Sequence, residues 1–309
     1  MLQTDGRSAK TLAKYKQVLE VLKTLCNEHQ VRTIAQVDHQ VIDAYRAKRV
    51  EAGRAPKTVY TETIIIRQLV KFAKRRKLIL EDPLSDLQVR KPKRTDQPCW
   101  SQAQMVAIAQ AATEPARSCF TILRETGMRV GELCHLTWED VDLVRGFIHI
   151  RGKQWTESSP GGLDVIKYWQ PKTGDQRDIP MSPDARAALE ELPKYGRWVF
   201  CMAPTKAYPI LDRQMSDRWL LKQVKCIAKS LGLEGHIHTF RHGFISNALS
   251  HNIPESTVRE WVGHVDPEII KIYTHVEDED SSRAMKRLAD AAGDRDGDDD
   301  DVQPATVAG

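Results

Sequence analysis

The chain has 309 residues, 41% of them hydrophobic and 28% charged, an ordinary globular composition with length enough for two domains. No apolar run reaches the ~20 residues that cross a bilayer and MLQTDGRSAK lacks an apolar leader core, so a membrane span and secretion are not expected and the cytoplasm is. The net charge of +4 conceals an uneven distribution: residues 1–98 hold 21 lysines and arginines against 11 acidic residues, the electrostatic footprint of a polyanion partner.

In chain order, the first three segments read as helices. SAKTLAKYKQVLEVLKTLCNEH opens on Ser8 as a cap and repeats Leu12, Tyr15, Val18, Leu19, Leu22 and Leu25 at amphipathic spacing. VDHQVIDAYRAKRVEAG has Asp38 as its cap and Gly53 as its stop, and APKTVYTETIIIRQLVKFAKRRKLI carries a late basic cluster. These make a helical domain over residues 1–88. Its candidate phosphate contacts are Lys57, Arg67, Lys71, Lys74 and Arg75, each of which would steepen the salt dependence of binding. EDPLSDLQVRKPKRTDQP, with three prolines and the basic Arg90 and Lys91, reads as an exposed tether with its linker proper at residues 89–98.

A second domain is expected over residues 99–290. SQAQMVAIAQAA and ARSCFTILRETG are helical, and MRVGELCHLTW is a short helix after a glycine break. FIHIRG, DVIKYWQ and RDIPM alternate as strands. DARAALEEL, the segment around RWLLKQVKCIAKSLG, TFRHGFISNALS, ESTVREWVGH and DPEIIKIYTHV return to helix. The fold class is therefore mainly α with a small antiparallel β-sheet, and residues 291–309 form an acidic, disordered tail. Six scattered cysteines without a CxxC pair argue against a zinc ribbon and a disulfide framework, and no metal or cofactor is expected.

Three stretches carry chemistry. In ETGMRVGELCHLTW, Arg129 stands at a helix start, where the backbone and a guanidinium favour an anion, with Glu132 one turn on to fix Arg129 or a histidine. In HTFRH, His238 and Arg241 share a helix face while Phe240 and Phe244 turn to another. In VGHVDPEIIKIYTHV, Gly263 ends a helix, His264 follows, Asp266 and Pro267 start the next, and Tyr273 lies two turns in.

These motifs, in this order, resemble the tyrosine recombinases, or phage integrase family, over nearly the whole chain. TGMRVGELCHLTW looks like the family's first box, HTFRH its second, and VGH with the tyrosine of IYTHV its third; QPKTGDQRDIPM resembles the hairpin with the catalytic lysine. The resemblance implies a two-domain DNA clamp, an N-terminal SAM-like core-binding domain and a C-terminal catalytic domain. It also implies a catalytic set of Arg129, Lys172, His238, Arg241, His264 and Tyr273, supported by Glu132. Residues 153–170 are longer than the usual hairpin, which keeps Lys153 as a rival to Lys172. The implied activity is cleavage and rejoining of double-stranded DNA through a 3′-phosphotyrosyl link, in the nucleoid. The implied assembly is a homo-tetramer on two sites, joined through a last helix whose edge is Met285, Leu288 and Ala292. A catalytically inactive DNA-binding protein and a type IB topoisomerase-like relaxing enzyme are the alternatives.

Overall fold

The structure is a computed structural model that describes residues 9–93, 98–158, 164–172, 174–206 and 209–265. Ser8, Asp266, Pro267, Tyr273, the expected last helix and the acidic tail lie outside these residues. The chain divides into two compact units, Met1–Asp96 and Gln97–Gly309, and among the described residues both are mostly helical, with the strands confined to the second.

In the first unit, helix α1 (Ala9–Glu28) turns Val18, Leu22 and Leu25 inward, an i, i+4, i+7 stripe. Helix α2 (His39–Glu51) starts where Asp38 accepts the backbone N–H of Val41, the expected cap. Helix α3 (Pro56–Arg75) begins on Pro56, whose missing N–H would be unpaired there anyway, and packs Ile65, Ile66, Val70 and Ala73 against the other two. Between α2 and α3 lies a buried polar cluster. Arg49 donates to Glu62 through Nε and Nη2, both at 2.7 Å, and the Tyr45 hydroxyl donates to the same carboxylate at 3.0 Å.

Two expectations are corrected here. The third helix ends at Arg75 rather than running to Ile79, because Lys77 takes a left-handed φ of 56° and turns the chain back. The segment EDPLSDLQ is not an exposed tether: Leu84 and Leu87 are buried in the core of this unit, with Val89 partly buried beside them. Asp82 accepts the N–H of Leu84 and makes the turn that sends both leucines inward, an apolar demand the prolines do not override. Arg90 and Lys91 beyond it are exposed.

The second unit is built on helix α4 (Gln102–Ala111), capped by Ser101, and helix α5 (Ala116–Thr126), which ends at a left-handed Gly127. Helix α6 (Val130–Cys134) follows, and then strands β1 (Val141–Asp142), β2 (Phe147–Ile150), β3 (Lys153–Ser158), β4 (Asp164–Trp169) and β5 (Arg177–Pro180). Helices α7 (Pro183–Glu190), α8 (Asp217–Ser230), α9 (His238–Ser250) and α10 (Glu255–Val262) complete the described part. Helix α5 is central, packing on α4, α7 and α9. Phe240 of α9 is buried, stacked on Phe120 of α5 and edge-on to Trp100, with centroids 5.5 and 5.2 Å apart.

Strands β1, β2 and β5 form an antiparallel sheet in that order, with Ile148 opposite both Val141 and Ile179. The stretch KQWTES, not expected as a strand, is β3; it pairs with β4 as a separate two-stranded ribbon, Lys153 opposite Trp169 and Ser158 opposite Asp164. Its root is aromatic. The ring of His135 stacks on Trp169 at 4.7 Å, and Trp155 meets Trp198 edge-on at 5.2 Å. The extra residues between β2 and β5 thus form an anchored element, since a bare hairpin would be marginal in water.

Candidate active site

The loop after α5 sets the first residue. Gly127 adopts φ 59°, and a Cβ there would stand 2.5 Å from Cδ1 of Phe244, so both conformation and space require glycine. Two residues on, Arg129 precedes α6. Glu132 accepts from the Arg129 backbone N–H at 2.8 Å and from its Nη1 at 3.0 Å. Helix α6 has only five residues, and the backbone N–H of Arg129, its cap residue, is taken by Glu132.

Arg241, one turn into α9, is 8% exposed. Its Nη1 donates to the carbonyls of Gly127 and Val262 at 3.1 and 2.6 Å, and its Nη2 to the carbonyl of His264 at 3.1 Å. Arg129 Nη2 donates to that same carbonyl at 2.7 Å. The two guanidinium groups of the first and second boxes therefore meet on the backbone of the third. Burial and the neighbouring Arg129 push the pKa of Arg241 down to about 9, so it still carries its charge at neutral pH.

His238 opens α9 with its ring exposed and 5.7 Å from that of His236. Its pKa lies below the ordinary histidine value, first because the protein groups packed around one side of the ring displace part of its water even though the residue reaches the surface. The positive charges of Arg241, Arg129 and Lys172 and the ring of His236 then oppose a further proton. Lys172 is exposed in the turn before β5, and its charge is felt at His238. Lys153 is committed elsewhere: its Nζ lies 2.9 Å from buried Asp140 and 5.5 Å from the centre of the Trp169 ring. The side chain of His264 is exposed beside a cavity of about 510 Å³ that Asp175, Asp178, Arg259 and Glu260 also line.

A residue to which the sequence assigned no role completes the cluster. Arg177 Nη1 and Nη2 reach Glu132 at 3.1 and 2.6 Å, and Nε donates to the Trp261 carbonyl at 2.7 Å. Among the described residues no histidine bonds Glu132; its side-chain partners are the two arginines. Burial alone would raise the Glu132 carboxyl, but the hydrogen bonds and charge of Arg177, with those of Arg129, outweigh it and hold the pKa below the usual value.

A model of the phage integrase family matches residues 100–280, and a model of the phage integrase N-terminal SAM-like domain matches residues 1–77. The chain belongs to the phage integrase family. Among curated relatives of this family it is 26% identical over 285 residues to the tyrosine recombinase XerD of Staphylococcus aureus, covering 88% of this chain and 89% of that protein. The fold is similar to that of the Tn1549 transposon integrase in complex with a circular intermediate DNA: TM-score 0.68, 19% identity, 93% of this chain and 96% of that one. It is also similar to a lambda integrase dimer bound to a core site: TM-score 0.66, 16% identity, 90% and 93% of the two chains.

Five of the six residues expected as catalytic in this integrase lie among the described residues, and Arg129, Arg241, His238, Lys172 and the backbone of His264 are brought into mutual contact or electrostatic range. Tyr273 lies outside them. Among the described residues no group of three or more His, Cys, Asp or Glu is placed to hold a metal ion, and no helix is long and apolar enough to cross a membrane.

The expected phosphate contacts are less concentrated. Lys71, Lys74 and Arg75 gather with Gln68 and Asp82 around a groove of about 600 Å³ near the end of α3. Lys57 stands at the other end of that helix, about 20 Å away at 1.5 Å per residue, with its Nζ 5.1 Å from the Tyr60 ring centre. Arg67 is half-buried and does not line the groove.

Arg177 had a signal in the sequence. On β5 it shares the inward face with Ile179, so a strand that alternates toward the core puts a cation where an aliphatic belongs. Such a cation requires a buried anion.

Proposed function

We propose that the chain is a site-specific DNA recombinase that cleaves and rejoins double-stranded DNA in the cytoplasmic nucleoid. Tyr273, nine residues after His264, attacks a backbone phosphorus, forming a 3′-phosphotyrosyl bond as the bond to the 5′ oxygen breaks. The covalent intermediate keeps the phosphodiester's energy, so a second 5′-hydroxyl can displace the tyrosine without ATP. Arg129 and Arg241 stabilise the charge that gathers on the non-bridging oxygens. Lys172 delivers a proton to the departing 5′ oxygen. His238, neutral at pH 7, accepts one from the phenol, whose free pKa near ~10 otherwise keeps it a weak nucleophile. His264 hydrogen-bonds the phosphate. DNA is held by the helical unit through Lys71, Lys74 and Arg75, with Lys57, Arg67, Arg90 and Lys91 as outlying contacts.

The observation that carries this reading is the meeting of Arg129 and Arg241 on the His264 carbonyl, within electrostatic range of His238, which Lys172 shares. One neighbour in fold is a lambda integrase tetramer bound to a Holliday junction, and the same cyclic tetramer on two sites, linked by the last helix, is proposed here. The test uses a pool of duplexes with randomised centres, incubated with the protein in EDTA and quenched in detergent. A covalent protein–DNA adduct is expected, lost in Tyr273→Phe; an adduct that survives that substitution rules out this nucleophile.

A further inference from the structure

We infer that Arg177 is a positioning residue of the reacting centre: through Glu132 it fixes the Arg129 guanidinium, and through the Trp261 carbonyl it fixes the turn that presents His264. The inference rests on the recombinase reading above and adds to it a group that touches none of the reacting atoms.

The geometry points in one direction at each link. Glu132 has 1% of its side chain exposed, so its charge depends on the groups around it, which are Arg177 of β5 and Arg129 before α6, with Arg241 of α9 close enough to sense it. Arg177 occupies both carboxylate oxygens, a fork-on-fork pairing that sets orientation as well as distance. Glu132 so fixed then holds Arg129 by its N–H and by Nη1, leaving Nη2 aimed at His264.

The second link runs through α10. Arg177 Nε grips the carbonyl of Trp261, and two residues later Gly263 takes φ 71° with its backbone against the guanidinium: a Cβ there would meet Nη1 at 3.3 Å. Arg177 therefore sets, from one planar group, the positions of both the donor and the acceptor in the Arg129–His264 contact. It also stands five residues after Lys172, so β5 ties the lysine's turn to the same frame. A misplacement of about 1 Å at a reacting centre lowers rate by roughly 100-fold while leaving distant binding groups untouched.

The test measures single-turnover cleavage and equilibrium affinity on one duplex recovered from the randomised pool, with wild type, Arg177→Lys, Arg177→Gln, Glu132→Gln and the Arg177→Gln/Glu132→Gln double variant. Arg177→Gln is expected to cleave about 100-fold more slowly with affinity nearly unchanged. Arg177→Lys, which keeps the buried charge should the glutamine variant fold poorly, is expected to recover part of that loss. The double variant should be no slower than the slower single one, because both act through one chain of contacts. Rate losses that multiply in the double variant, or affinity that falls in step with rate, would overturn the inference. A wild-type protein that forms no adduct at all would instead refute the recombinase reading.

Discussion

Arg129 and Arg241 donate hydrogen bonds of 2.7 and 3.1 Å to one acceptor, the carbonyl oxygen of His264. Neither arginine is near the other in sequence, and a shared acceptor keeps two like charges together that would otherwise separate. The arrangement holds two positive charges at one point of the backbone, the kind of preorganised geometry that stabilises developing negative charge.

Replacing Arg241 by alanine removes donors to three carbonyls as well as a charge. Cleavage in single turnover should fall by about 100–1000-fold, with duplex affinity changed little. Affinity that falls in parallel would mean that Arg241 binds the ground state and the transition state alike.

The pH dependence follows from His238. Its folded pKa lies below 6.5, so between the folded value and 6.5 the unfolded chain binds more protons, and stability of the catalytic unit from this group rises with pH and levels off above 6.5. A phosphate among the same cations relieves their repulsion and raises the pKa again. DNA binding near pH 6 should therefore take up protons, seen by calorimetry as a dependence on buffer ionisation heat, and His238→Gln should abolish the uptake.

Glu132 acts at lower pH. Its pKa is depressed, so its contribution to stability is present above 4.5 and is lost as pH falls through the folded value. Acid unfolding of Glu132→Gln should lack that step.

In the helical unit, Glu62→Ala would strand the buried guanidinium of Arg49. The expected loss is about 3–5 kcal/mol, measured by urea unfolding. A loss below about 1 kcal/mol, the range of a surface pair, would show that water reaches Arg49.

Lys71→Ala, Lys74→Ala and Arg75→Ala should each weaken the salt dependence of duplex affinity. The log–log slope should become shallower by about 0.9 for every phosphate left without its cation. Lys57→Ala tests whether the far end of α3 shares the load.

Much of this was legible beforehand because local rules governed it. Asp38 and Gly127 mark helix ends through backbone chemistry that depends on a few neighbours, and the inward stripe of α1 is a period. Arg129, Lys172, His238, Arg241 and His264 were found as motif residues, yet no spacing rule says that two of them bond a third one's carbonyl. Leu84 and Leu87 were hidden by prolines and charges that read as a tether, and their burial depends on a core supplied by α1–α3. KQWTES was hidden because a single apolar residue, Trp155, among polar neighbours does not make the apolar alternation of a half-buried strand. Its partner strand and the rings at its root decide its conformation.

The pinned carbonyl of His264 has a kinetic meaning. It stands nine residues before Tyr273, and nine residues at full stretch reach no more than about 30 Å. Whatever path the chain takes between them, the phenol stays within that radius, an effective concentration on the order of millimolar. Free tyrosine in solution could not compete with it. Glycines inserted between His264 and Tyr273 would widen that radius and should lower the effective concentration of the phenol without altering a single bond at the arginines.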